Sequence, residues 1–256
     1  MTGGSEPLLE GTLISHLLEL RTRLMRAFLA VMLVFIPLAF YSNQLFDWMS
    51  HPLILQLPAN ATLISTSITA PFTAPLKLAF VAALVVAMPY VLYELWAFIA
   101  PGLYRHEKSF AVPLLVSAVV LFYVGVAFAY YIVLPLMFKF FVGTTPHNVQ
   151  LMADITTYLE FVLVLLFSFG IAFEVPVAVV LLVMMGMVPL EKLTQIRGYV
   201  LIAVFIIAAI LTPPDAVSQT VMAIPMYLLY EAGIVFARLM ARSRDKHKKA
   251  QGEAGT

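Results

Sequence analysis

"WAFIAPGLYRHEKSF", residues 96–110, sets Glu107 between His106 and Lys108, with Arg105 just before it. Long apolar stretches lie on both sides. A short, basic hinge between two apolar segments is what a chain shows where it leaves a bilayer, turns in water and re-enters. Most residues of such a hinge need only be wet. A carboxylate among cations there raises a second possibility, that it receives positive charge from elsewhere.

Composition supports the membrane reading. Of 256 residues, 62% are hydrophobic and 11% are charged, against about 25% charged in an ordinary soluble domain. The mean hydropathy is +0.97. A chain this apolar folded in water would expose too much greasy surface, so a sizeable soluble domain is excluded. There is no cysteine, hence no disulfide, thiolate nucleophile or cysteine metal site. The first 23 residues are too polar for the apolar core of a signal peptide, so the first apolar segment is expected to be retained.

Six apolar stretches follow, at about 24–41, 76–100, 110–138, 161–188, 199–211 and 216–237. A helix needs roughly 20 residues to cross a hydrocarbon core of about 30 Å. The third and fourth exceed that, which predicts tilt or protruding ends. The fifth is short, and the sixth contains Gln219, Pro225 and Glu231. Joined by "TPPD" (212–215), these two read as a reduced hairpin with short fifth and sixth helices. The expectation is an all-α polytopic membrane protein: a polar N-terminal segment at 1–23, a six-helix transmembrane domain at 24–237, and a basic, disordered tail at 238–256.

Fifteen lysines and arginines orient it. With six spans, Arg21, Arg23, Arg26, Arg105, Lys108, Lys192, Arg197, Arg238 and the tail cations share one side, and only Lys77 and Lys139 fall opposite. That asymmetry places both termini and the hinges at 101–109 and 189–198 in the cytoplasm. Pro37, Pro89, Pro113, Pro135, Pro176 and Pro225 sit within apolar segments. Each removes a backbone donor and crowds the preceding turn, which predicts kinked helices and a curved wall. No internal repeat is visible.

The chemistry-bearing residues are few. H-E-x-x-H, G-x-S-x-G and G-x-x-x-x-G-K are all absent, and the five histidines lack metal-ligand spacing. No enzyme activity, metal site or cofactor is expected. Glu174, in "FGIAFEVPVA", lies well inside the fourth segment, where a carboxylate costs about 2.5–3.5 kcal/mol even on the lenient insertion scale. An interhelical hydrogen bond and a polar site for proton, substrate or partner both fit it. On a helix, His16, Glu19 and Arg23 share a face, and Glu19–Arg23 is an i,i+4 pair. A solvated collar at the membrane entrance fits that face, and so does a receptor. Glu19 and Glu107 both fall in the cytoplasmic surface zone, where other charges are mostly positive, and two carboxylates there could take adjacent guanidiniums bidentately. Glu94 and Trp96 lie a few turns before Glu107.

The stretches "HLLELRTRL" (16–24), "LYELWAFIAPGLYRHEK" (92–108), "FAVPLLVS" (110–117), "FGIAFEVPV" (169–177) and "LTPPDAVSQTVMAIPMYLLYE" (211–231) together carry a resemblance. The chain is similar to the TatC family, the polytopic core of the twin-arginine protein translocase, over nearly its whole length. The resemblance implies a curved, glove-like wall of six helices in the bacterial cytoplasmic (inner) membrane. It implies recognition of twin-arginine signal peptides of folded precursors. Its implied partners are the single-span subunits TatA and TatB, membrane lipid and other copies of itself; nucleic acid is not among them. Glu19 and Glu107 match the carboxylates that contact the arginine pair. Phe98, Pro101 and Leu103 match the recognition hinge, and Arg21 and Pro52 match positions important in the family. Glu174 matches the acid of the concave membrane face. Thr212, Asp215, Gln219 and Glu231 match the region where TatA and TatB dock. Glu94 departs from the pattern, since glutamine is expected there in many relatives; it would add acidity below the recognition surface.

With no nucleotide site, export must draw its energy elsewhere, and the resemblance implies the proton-motive force. Two charge pairs at a partly wet surface contribute about 0.5–2 kcal/mol each, so apolar contact must supply the remaining affinity. The alternative from another class is an ion-coupled secondary transporter of small solutes, which suits Glu174 and the broken helices but not surface acids at 19 and 107.

Overall fold

A computed structural model describes residues 7–54, 63–99, 108–145, 152–212 and 215–253. Their backbone is helical nearly throughout. In chain order the helices are α1 (Pro7–Phe40), α2 (Ser42–Ile54), α3 (Ala70–Ile99), α4 (Lys108–Phe128), α5 (Leu134–Thr144), α6 (Ile155–Ala172), α7 (Val175–Met184), α8 (Leu190–Gln195), α9 (Arg197–Leu211) and α10 (Ala216–Glu253). Among the described residues, Ser15–Phe40, Ala70–Ile99, Val112–Thr144, Ile155–Met184 and Ala216–Ala241 are long and apolar enough to cross a membrane. Arg197–Leu211 is shorter. At about 1.5 Å per residue it spans about 22 Å.

The expected segments thus stand as helices, with differences. The sixth is not short: its apolar part runs 26 residues. Its polar groups do not interrupt it because they are partnered, Gln219 by a carbonyl and Glu231 by an arginine. The basic tail expected to be disordered is helical in its described backbone, since α10 continues to Glu253. Alanine, lysine, arginine and glutamine are good helix formers, and the stretch is rich in them. α1 begins at Pro7, upstream of the expected boundary at 23. The long connection after the first span contains α2.

The prolines divide into two kinds. Pro37, Pro89, Pro113 and Pro225 lie inside uninterrupted helices. Pro135 and Pro176 sit in the first turn of α5 and α7, where a missing N–H is harmless. A wide π turn, Ala129–Val133, precedes Pro135. A tight turn through Phe173 and Glu174 precedes Pro176, with Glu174 N bonded to Ile171 O at 3.0 Å. In both cases the helix deforms where the ring would meet the carbonyl four residues back.

The chain forms two compact units. The first, Met1–Trp48 with Phe72–Leu115, is built on α1 against α3. Val31 packs with Ala83 and Ala87, flanked by Phe35, Leu38 and Leu84. Small residues at this seam let the backbones approach. Lipid-facing residues such as Leu33 and Phe40 stay exposed.

The second unit, Met49–Pro71 with Val116–Thr256, holds the end of α2, most of α4 and all of α5 to α10. Phe122, Phe169, Leu165, Met222 and Ile234 are fully buried in it. A side chain at Gly125 would put its Cβ 2.6 Å from Phe169 O, so only glycine permits this approach of α4 to α6. Gly186, at φ 68°, follows the end of α7 in the left-handed conformation. Asp154 caps α6, taking Thr156 N and Thr157 N on Oδ1. Its Oδ2 accepts from the Thr66 hydroxyl at 2.7 Å and Thr66 N at 3.0 Å. Ile64 exchanges backbone bonds with Ala153 and Ile155 beside it. The Thr66 hydroxyl first, then these N–H groups, hold the Asp154 carboxyl well below its ordinary 3.8, at about 2.

Two outcomes follow from this packing. Gly125→Ala lowers unfolding stability in detergent by about 1–3 kcal/mol. Gly143→Ala, with nothing within 4 Å of the new Cβ, leaves it unchanged or raises it by up to about 1 kcal/mol. Equal effects at the two sites would refute the close-approach account. Because the folded pKa of Asp154 is depressed, its stabilisation is complete above the ordinary value and is lost as pH falls through about 4 toward about 2. Thermal unfolding of Asp154→Asn is therefore less stable than wild type at neutral pH. The difference between the two shrinks below pH about 4, and a constant difference down to pH about 2 would contradict the assignment.

Candidate functional site

In the first unit the face predicted for α1 is in place. His16 stacks on Phe98, ring centroids 4.2 Å apart. One to two turns further along α1, Arg23 makes a fork on Glu19: Nε and Nη2 donate to Oε1 at 2.9 and 2.7 Å. Its third nitrogen, Nη1, donates to Glu94 Oε2 at 3.1 Å. The Tyr90 hydroxyl donates to Glu94 Oε1 at 2.9 Å. One guanidinium thus bridges carboxylates on α1 and α3. α1 and α3 run antiparallel here, because positions 16 and 23 meet 98 and 94 in reverse order.

The two carboxylates differ in access. The Glu94 side chain is 4% exposed, whereas Glu19 is 38% exposed and Arg23 is 21%. A recess of about 310 Å³ opens beside them, lined by Leu18, Glu19, Thr22, Arg23 and Arg26. Burial of an ionised acid is tolerable only when its lone pairs are filled by donors, and Tyr90 and Arg23 supply them to Glu94. Glu94, expected to add acidity below the recognition surface, has its charge matched by Arg23.

The other expected residues are dispersed. Arg21 is exposed and, by helical angle, lies on the face of α1 away from Glu19. Pro101, Leu103 and Glu107 lie outside the described residues, as does the side chain of Pro52, whose backbone is in α2. In the second unit Glu174 stands at the break between α6 and α7, and its buried Oε1 has no partner among the described residues. Thr212 is buried and its hydroxyl donates to Ala208 O at 2.9 Å. Asp215 Oδ1 accepts Ser218 N at 2.7 Å and so caps α10. Gln219 Nε2 donates to Phe205 O at 3.0 Å. Gln219 also lines an apolar groove of about 350 Å³ with Leu201, Ile202, Phe205, Ile206 and Ala209.

Glu231 does not join Thr212, Asp215 and Gln219. It lies more than three turns along α10, at the level where α9 begins. Its Oε2 accepts Arg197 Nη2 at 2.7 Å and its Oε1 accepts the Tyr227 hydroxyl at 3.0 Å. Tyr230, next to it, donates to Leu193 O at 2.6 Å. The sequence reading missed Tyr90, Tyr227 and Arg197 as partners. A signal was present: "YVLYE" (90–94) and "YLLYE" (227–231) place tyrosine one turn before glutamate in the same pattern. In both, tyrosine serves one carboxylate oxygen and an arginine from another helix serves the other.

This arrangement defines a class: an all-helical, multi-pass membrane protein in which Glu94 and Glu231 are each matched by a tyrosine on the same helix and an arginine on another. Among the described residues no group of histidine, aspartate and glutamate is placed to hold a metal ion. Comparison with known proteins gives the family. The family model of the Sec-independent protein translocase protein (TatC) matches residues 15–225. The TatC protein of Escherichia coli (strain K12) is 50% identical over 226 residues, covering 88% of each chain. That of Azotobacter chroococcum mcd 1 is 48% identical over 241 residues, covering 94% of this chain and 93% of its own. A crystal structure of the twin-arginine translocase receptor TatC superposes with a TM-score of 0.79 at 37% identity, covering 88% of this chain and 98% of that one. The chain belongs to the TatC family and is a multi-pass membrane component of a Sec-independent protein translocase.

The Arg197–Glu231 pair is half-exposed, and a double-mutant cycle of Arg197→Gln and Glu231→Gln measures it. A coupling of about 0.5–1 kcal/mol in unfolding stability is expected. Strict additivity would mean that the contact contributes nothing.

Proposed function

We propose that this protein binds the paired-arginine signal peptide of folded precursors at the cytoplasmic face, through Glu19 and Glu107, and nucleates assembly with TatA and TatB. Export is then driven by the proton-motive force. The observation that carries the reading is the Glu19 carboxylate. It is partly exposed, it borders an open recess, and it already accepts a guanidinium fork from Arg23. A carboxylate that takes the chain's own arginine in this geometry is suited to take another's. His16 stacked on Phe98 beside it gives an aromatic floor for the peptide.

The cation asymmetry supports cytoplasmic termini in the bacterial inner membrane, with the basic end of α10 against anionic lipid. The groove at Gln219 is the docking site in this reading. Its polar atom in an apolar wall suits the single transmembrane helix of TatA or TatB, or a further copy of this chain. Thr212 and Asp215 shape that end of the hairpin. Glu174, with an unpartnered oxygen, is the acid on which the proton-motive force could act.

Binding of synthetic peptides to the purified protein in nanodiscs tests the reading. A peptide with Arg-Arg binds more tightly than one with Lys-Lys, and Glu19→Gln weakens the first by about tenfold. In cells, Glu107→Ala abolishes export of folded cargo while the protein remains inserted, and Glu107→Lys is worse than Glu107→Gln. Equal affinity for the two peptides, or unaltered binding by Glu19→Gln, would remove the receptor role.

A further inference from the structure

Arg23 holds Oε1 of the carboxylate that the proposed ligand needs. It does so with two of its three nitrogens and keeps the third on Glu94. We propose that Arg23 is a hand-over residue: it neutralises Glu19 in the empty receptor, and when an incoming peptide guanidinium takes Glu19, Arg23 stays behind on Glu94. The inference rests on the receptor reading above and deepens it, by naming what sets affinity and the preference for arginine over lysine.

Three features argue for exchange over a fixed bridge. First, the two ends of the bridge differ in strength. The Glu19 end is an i,i+4 pair at a half-exposed carboxylate, a contact that contributes little and re-forms easily. The Glu94 end is buried, and Glu94 would be left as an uncompensated charge without its arginine. Arg23 therefore releases Glu19 before it releases Glu94. Second, Glu94 is locked by Tyr90 and cannot follow Arg23 outward. Third, the recess lies on the Glu19 side of the guanidinium, with Leu18 and Thr22 in its wall, so an incoming group reaches Glu19 without passing Glu94.

The exchange also explains selectivity. An ammonium offers point-like charge where Arg23 offers a planar fork. Lysine must displace two N–H donors with less directional bonding, whereas arginine replaces the fork with an equivalent one. Arg26 lines the same recess and adds repulsion for any cation, which a bidentate contact offsets better than a single one.

The same nanodisc assay, with Arg-Arg and Lys-Lys peptides, separates the possibilities. Glu94→Gln removes the fallback partner, so Arg23 holds Glu19 harder, and Arg-Arg binding weakens by about tenfold. Arg23→Gln combined with Glu94→Gln removes competitor and buried charge together; affinity for Arg-Arg returns to wild type or better, and the Arg-Arg to Lys-Lys ratio falls by at least about threefold. Arg23→Lys retains the charge but not the fork, and binds Arg-Arg about threefold more tightly than wild type. Retained thermal unfolding of each variant controls for folding. If Arg23 only props up Glu19, both Arg23→Lys and the double variant bind more weakly than wild type, and the hand-over is overturned. Loss of binding in Glu19→Gln alongside that result leaves the receptor reading intact. No loss in Glu19→Gln would overturn both.

Discussion

A backbone N–H or C=O left unpaired in hydrocarbon costs several kcal/mol, and the rest of this structure answers to that constraint. It keeps the backbone of each apolar segment hydrogen-bonded within the segment, as helix or as a local turn between helices. It confines capping by Asp154 and Asp215 to helix starts outside the apolar stretches. It also explains what happens at the prolines. Where Pro135 and Pro176 would strand a carbonyl, the chain widens into a π turn or tightens into a short turn and begins a new helix. Thr212 and Thr220, near the polar ends of α9 and α10, return their hydroxyls to the carbonyls four residues back.

Side-chain charge meets the same constraint with the same remedy. Glu94 and Glu231 each receive a tyrosine hydroxyl from one turn earlier on their own helix and an arginine from another. Tyrosine is suited to this task, since its ring buries as apolar surface while its hydroxyl fixes one carboxylate oxygen. The remaining oxygen is then aimed at the neighbouring helix, where a guanidinium binds it directionally. Glu174 has neither partner on its buried oxygen. The contrast separates acids that hold helices together from one whose buried oxygen is left unsatisfied among the described residues.

Much of this was legible in the sequence for reasons of scale. Spans announce themselves by length and apolarity, so six segments could be marked. The shortness of the fifth followed from counting residues. The Glu19–Arg23 pair was readable because i,i+4 contacts are local. Its extension to Glu94, across 71 positions, was not, because nothing in a sequence says which face of α1 meets which face of α3. The family resemblance groups Glu231 with Thr212, Asp215 and Gln219, yet a helix carries a residue about 1.5 Å per position away from its neighbours. The basic tail was taken as disordered from its charge, although its residues are individually good helix formers. The α2 helix was missed because it is only 13 residues long and less apolar than the spans it lies between.

The difference in burial between Glu19 and Glu94 bears on how such a receptor can be selective without being tight. A deep, dry carboxylate would bind a guanidinium strongly but would carry a large desolvation cost when empty. A fully exposed one would be cheap to keep empty but would scarcely tell arginine from lysine. Dividing the task between one buried acid and one exposed acid, with a single internal guanidinium between them, avoids both extremes. In the proposed hand-over the buried acid is never unpaired, the exposed acid is never without a cation, and the free-energy change on binding is the difference between two similar forks. Such a difference is small in magnitude yet sensitive to the shape of the incoming group. That combination suits the proposed receptor role, in which many precursors are inspected and each is released.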